Sequence, residues 1–158
     1  MRSGPDGLSV ELQPARWALR LVDDADVRAL SALCVVRNPA GRWLAGRRAA
    51  WVSSWAGRWA LGAGGAVDVG ESPTATLTRE LHEEWSLQAT ELTIEALVRR
   101  PGGMAFLVGT ALVAADSEPV PDAEHDDWAW WPAAVEDWPE EADEPLRLMA
   151  SMLSGDDE

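Results

Sequence analysis

The chain has 158 residues, 47% of them apolar, and a formal net charge of −14 from 27 acidic and 13 basic side chains. So acidic a chain is not drawn to the phosphates of a nucleic-acid polymer or to an anionic membrane surface, which excludes non-specific polyanion binding. The length and apolar content suit one globular domain. Every apolar run falls well short of the roughly 20 residues that span a bilayer, and no secretory core lies near the N-terminus, so a cytoplasmic protein is expected.

Residues 1–28 read as an N-terminal extension, in which Trp17 to Val22 suits a strand closed by an Asp23-Asp24 turn; the main domain is expected over 29–158. Leu30 to Val36 and Arg42 to Arg47 flank the turn residues Asn38-Pro39-Ala40-Gly41, which predicts a hairpin. Ala50 to Gly57 lacks a period and reads as a loop, and Arg58 to Leu61 as a strand leading into the cluster Gly62-Ala63-Gly64-Gly65. A helix is predicted over Pro73 to Trp85. Ser72 suits the N-cap, Pro73 the first helical position, and Leu77, Leu81 and Trp85 recur every fourth residue. Leu92 to Arg99 and Met104 to Ala114 predict a second hairpin around Arg100-Pro101-Gly102-Gly103. Asp116 to Asp127 reads as an acidic loop, Trp128 to Trp131 as a short strand and Glu144 to Leu153 as a final helix. This order, with hairpin connections, predicts an α+β fold with a mixed sheet.

The charge is divided. Residues 115–158 hold fifteen acids against the single base Arg147, whereas residues 1–114 are balanced, and Arg37 to Arg58 contains five arginines and no acid. A basic pocket can therefore sit in an acidic protein. Cys34 is the only cysteine, which excludes an internal disulfide and a thiolate zinc cluster.

Glu80, Glu83 and Glu84 stand at i, i+3 and i+4 on the predicted helix, within about 100° of one another on one face. Like charges so spaced are destabilising by roughly 0.2–0.5 kcal/mol per pair, so a cation should offset them. Carboxylate oxygens suit a hard ion, Mg²⁺ or alternatively Mn²⁺, which typically bridges protein carboxylates to substrate phosphates.

The segment Gly65 to Leu87 resembles the Nudix box, G-x5-E-x7-R-E-U-x-E-E-x-G-U with U aliphatic. Six of its seven fixed residues are present: Gly65, Glu71, Arg79, Glu80, Glu83 and Glu84. The departure is Ser86 in place of glycine, just past the helix end, where a left-handed cap is needed; serine there should cost about 1 kcal/mol and leave the ligands untouched. Flanking features are similar to a subgroup near isopentenyl-diphosphate isomerase: paired Arg47-Arg48, the Trp51 to Trp59 loop, the glycine strand, Glu124-His125 and Trp130-Trp131-Pro132.

The resemblance implies an α/β/α sandwich and metal-dependent hydrolysis of the pyrophosphate bond of a nucleoside diphosphate linked to another moiety. Carried over by position, Glu80, Glu83, Glu84 and the carbonyl of Gly65 bind the metal, and Glu71 anchors Arg79. Glu80 is the first choice of general base and Glu124 the second. Arg47, Arg48 and Arg58 are candidates for a phosphate clamp, because arginine offers bidentate donors to phosphate oxygens, and Trp59 for substrate contact. Trp51, Trp55 and Trp59 suit either base stacking or packing. His82 is expected on the surface, and His125 has no assigned role. Pro101 lies near where ADP-ribose-type members carry a proline and equally suits its turn. Two other functions stay open: an isopentenyl-diphosphate isomerase-like enzyme, disfavoured because Cys34 precedes the glycine strand, and a noncatalytic nucleotide sensor. Homodimers occur in the family, which leaves that assembly open here too.

Overall fold

The computed structural model describes residues 30–99 and 105–154, together with the backbone of two short strands, β1 (Arg2–Gly4) and β2 (Gly7–Ser9), which pair antiparallel. The expected strand over Trp17 to Val22, its Asp23-Asp24 turn and the Arg100 to Gly103 turn lie outside the described residues. Seven further strands form one sheet: β3 (Leu30–Arg37), β4 (Trp43–Arg48), β5 (Trp59–Leu61), β6 (Ala63–Ala66), β7 (Ala89–Arg99), β8 (Ala105–Val113) and β9 (His125–Trp131). Two helices, α1 (Pro73–Trp85) and α2 (Glu144–Ser154), cover its opposite faces.

Strand β3 is the spine. Ala32, Cys34 and Val36 point to one side and pack with Leu77, Leu81 and Trp85 of α1, while Val35 points to the other and packs with Leu146 and Ala150 of α2. A strand buried on both faces must be apolar at successive positions, which is why Leu30–Arg37 lacks a polar alternation. Along one edge β3 pairs in parallel with β8, and β7 continues the sheet antiparallel to β8. This mixed sheet between two helices is the expected α/β/α sandwich.

The first expected hairpin is only partly formed. Its turn is as predicted: Asn38 Oδ1 accepts from the amides of Ala40 and Arg42, each at 3.0 Å, and Gly41 takes a φ of +73°. The ladder, however, stops after Arg37 and Trp43, because β6 pairs with β3 over Ser31 to Cys34. Strand β4 diverges and instead lies between β5 and β9, antiparallel to both. The glycine cluster is also more ordered than expected. Gly62, at φ +63°, ends β5, and Ala63–Ala66 is itself a strand.

Helix α1 has the predicted boundaries. Ser72 Oγ accepts from the Ala75 amide at 3.2 Å, Pro73 occupies the first turn, and Ser86 adopts the left-handed conformation at φ 54° with its amide on the carbonyl of His82 at 2.9 Å. Strands β7 and β9 each begin three residues earlier than predicted. The tryptophans are mainly packing residues. On the α2 face Trp131 stacks at 5.0 Å from Trp138 and 5.3 Å from Trp59, and Trp43 meets Trp138 edge-on at 5.7 Å. The indoles of Trp43, Trp85 and Trp138 each donate to a backbone carbonyl, so their burial leaves no polar orphan. No described helix is long and apolar enough to cross a membrane.

Candidate active site

The helix α1 and the strand β6 bring the box residues together at one end of the sheet. Arg79 is the hub. Its Nε and Nη2 donate to the two oxygens of Glu71 at 2.9 and 3.1 Å, and its Nη1 reaches Glu80 Oε1 at 2.6 Å and Glu83 Oε2 at 3.1 Å. The buried Thr76 hydroxyl also donates to Glu71, at 2.8 Å. Hydrogen bonds from Arg79 and then Thr76 hold the Glu71 carboxyl at a pKa of about 2, and the same carboxylate raises that of Arg79.

The metal-ligand candidates differ in exposure. Glu83 is exposed, Glu80 half-buried and Glu84 buried. Burial raises the pKa of Glu80 despite its bond to Arg79. Burial likewise pushes Glu84 up to about 8, opposed by a hydrogen bond from the Gly64 amide at 3.4 Å and reinforced by the charge of Glu80. Gly65 is required locally, since a Cβ there would collide with the Glu80 carboxylate.

The three carboxylates do not form a ready cage: among the described residues, no group of three His, Cys, Asp or Glu side chains is placed to hold a metal ion. Glu80 and Glu83 instead share Arg79, and Glu84 turns to Gly64. The donor chemistry nevertheless fits a hard divalent cation. Three carboxylates lie within two helical turns, two of them held in a setting that penalises their charge, and the bare backbone of Gly65 lets the Glu80 carboxylate approach its main chain.

The expected arginine clamp is divided by the fold. Arg48 bonds Glu124 at 2.8 Å, and its charge is felt at Glu84, so it belongs to the glutamate side. Arg47 lies on the β4 face shared with Trp43 and Ala45, where it pairs with Asp126 at 2.7 Å and Asp127 at 3.8 Å. Arg58 pairs with Asp143, just before α2, and lies over the Trp55 ring at 5.2 Å. Trp59 packs into the α2-side core, while Trp51 and Trp55 are exposed. The acidic C-terminal segment is thus folded onto the basic stretch rather than standing apart from it.

Two residues given no role by the sequence join this end of the sheet. His125 is buried with its ring 4.5 Å from Trp85, and its Nδ1 donates to Asp122 at 3.1 Å; burial lowers its pKa. No local pattern announces them, because their partners lie on α1 and β4. Cys34 faces the α1-side core with its thiol pushed up to about 12 by burial, which leaves it unsuited to the acid–base role that an isomerase would need. His82 is on the surface, as expected.

A NUDIX domain model matches residues 27–149. Among solved structures, the chain is similar to the MutT NUDIX hydrolase from Burkholderia pseudomallei, at 23% identity and a TM-score of 0.62, covering 80% of this chain and 98% of that one. It is also similar to the NUDIX domain of Shewanella oneidensis NrtR complexed with ADP ribose, at 22% identity and a TM-score of 0.62, covering 82% and 89%. A third likeness is to a C. elegans Ap4A hydrolase, at 21% identity and a TM-score of 0.59, covering 79% and 98%. Comparison with curated proteins finds no match. With the box residues gathered around Arg79 on the expected sandwich and the domain match running over most of its length, the chain belongs to the Nudix family and is a pyrophosphohydrolase of that family.

Proposed function

We propose that the enzyme hydrolyses the diphosphate linkage of a nucleoside diphosphate joined to a further moiety, with Mg²⁺ as its cation and Mn²⁺ as a substitute. The observation that carries this is the Arg79 hub: one guanidinium orders Glu71, Glu80 and Glu83 beside a glycine whose missing side chain lets the Glu80 carboxylate lie against the backbone. Glu80, Glu83, Glu84 and the Gly65 carbonyl are the groups that would hold the cation. When bound, such an ion neutralises charge on phosphate oxygens and acidifies water.

The chain's own residues then have distinct tasks. Arg48 exchanges Glu124 for a substrate phosphate oxygen, as a charged donor suited to that geometry. Glu80 accepts a proton from the attacking water; Glu124 is the second candidate for that role. The new bond forms between water oxygen and phosphorus, and the bridging oxygen leaves with the other phosphate. Arg47, Arg58 and Trp59 act on parts of the substrate beyond the cleaved linkage, since Arg47 and Trp59 lie on the α2 face of the sheet and Arg58 pairs with Asp143. Proteins of similar fold include a domain complexed with ADP ribose and an Ap4A hydrolase, which supports a nucleotide derivative as substrate class. We assign the enzyme to the cytoplasm, with residues 1–28 outside the catalytic domain and a homodimer as a candidate assembly.

The test is a panel of ADP-ribose, Ap4A, nucleotide sugars and nucleoside triphosphates, scored by phosphate released after phosphatase treatment with and without Mg²⁺. Turnover that chelation abolishes, and that Glu83→Gln and Glu84→Gln remove without unfolding the protein, is expected. Full activity in both variants overturns the assignment of the site. Tight nucleotide binding without turnover would favour the sensor function instead.

A further inference from the structure

The loop between β8 and β9 is fastened to the end of α1. Val120 and Asp122 donate their amides to the carbonyls of Trp85 and Glu84, both at 2.8 Å, where a helix end otherwise leaves carbonyls unpaired. One oxygen of the Asp122 side chain, Oδ1, accepts both the amide of Glu124 at 3.0 Å and Nδ1 of His125 at 3.1 Å. A carboxylate only accepts, so the His125 proton sits on Nδ1. Glu124 continues the chain in two directions: its carbonyl accepts from the Ala49 amide at 2.7 Å, and its side chain holds Arg48 at 2.8 Å. The His125 ring completes the fastening against Trp85 in space that Gly46 leaves free; a Cβ at Gly46 would lie 2.5 Å from that indole and 2.7 Å from the imidazole.

We propose that Asp122 is a positioning residue for the hydrolysis: it holds Glu124, the second candidate for the general base, at a set place relative to Glu84 at the end of α1. This rests on the proposed hydrolysis. Asp122 itself touches neither ligand candidate side chains nor phosphate; it acts through the amide that orients Glu124. Its effect should therefore fall on turnover, because misplacing a reacting group by about 1 Å costs on the order of a hundredfold in rate. A single acceptor oxygen serving two donors is a task that asparagine can also perform and alanine cannot.

The experiment compares Asp122→Asn and Asp122→Ala in the full chain by amide hydrogen exchange, thermal midpoint, and kcat and KM on the best substrate of the panel with Mg²⁺. In D122A, exchange at Glu124 and Ala49 is expected to quicken, with kcat falling roughly 10–100-fold and KM moving much less; D122N is expected to recover most of both. Should D122A fail to fold, Asp122→Ser, with one shorter acceptor, replaces it and is expected to fall between the other two. Unchanged exchange at Glu124 overturns the proposal. So does faster exchange with unaltered kcat, or a loss of turnover as large in D122N as in D122A. If no panel member is hydrolysed, the proposed function fails, while the exchange arm still decides whether Asp122 holds Glu124.

Discussion

Glu71 holds Arg79 through both of its carboxylate oxygens, Oε1 on Nε at 2.9 Å and Oε2 on Nη2 at 3.1 Å, so the guanidinium keeps its third nitrogen for Glu80 and Glu83. One acid thereby sets the orientation of two others without touching them. Replacing Glu71 by Gln should loosen Arg79 and lower turnover more than it raises KM. It should also change the acid side of the stability curve. The Glu71 carboxyl titrates at about 2 in the folded protein against an ordinary 4.5, so its contribution is present above pH 4.5 and is lost as pH falls toward 2. Chemical denaturation between pH 2 and 5 should show a shallower slope in Glu71→Gln than in the parent.

Glycine at position 65 is needed by the site and not by the sheet. A methyl group there would meet the mobile end of Glu80, which can swing away, so Gly65→Ala should stay within about 1 kcal/mol of the parent in stability. With Glu80 displaced, kcat should fall on the order of a hundredfold. Thermal melts and steady-state kinetics on the same preparation separate the two effects; a stable, fully active variant would show that Glu80 is not where catalysis happens.

Arg47 and Arg48 are neighbours in sequence with different expected roles. Arg48→Ala removes the donor beside Glu84 and should raise KM about tenfold or more, the scale of a lost charged hydrogen bond. Arg47→Ala breaks a solvent-exposed pair with Asp126 and should change KM by less than about threefold. Equal losses in the two variants would restore the paired clamp expected from the sequence.

Ser86 carries the one departure from the box, and its φ of 54° shows why glycine suits the position. Ser86→Gly should add about 1 kcal/mol to stability by relieving a left-handed conformation, with turnover unchanged. Denaturant unfolding is the measurement, and a neutral or destabilising result would mean that the serine is better tolerated than its backbone suggests.

Helix α1 was legible to the residue because its signals are local: Ser72 caps, Pro73 opens, and Leu77, Leu81 and Trp85 repeat within a few turns. The box was legible for the same reason, since i, i+3 and i+4 decide which glutamates share a face. What the sequence concealed depends on distant partners. Nothing near Trp43 announces that β4 will leave β3 because β6 pairs along it, and nothing near Arg58 announces Asp143. Nothing near Trp59 announces Trp131 beside it, and nothing near Asp122 announces that Glu84, Glu124 and His125 converge on it.

The pairing of Arg48 with Glu124 changes what binding means at this site. A phosphate arriving there meets a cation already satisfied, so association swaps one anion for another instead of neutralising a bare charge. Affinity is then a difference between two similar interactions. Added salt weakens both sides of that exchange together, and the substrate must outcompete a carboxylate tethered within reach, which favours a ligand with several phosphate oxygens over any stray single anion.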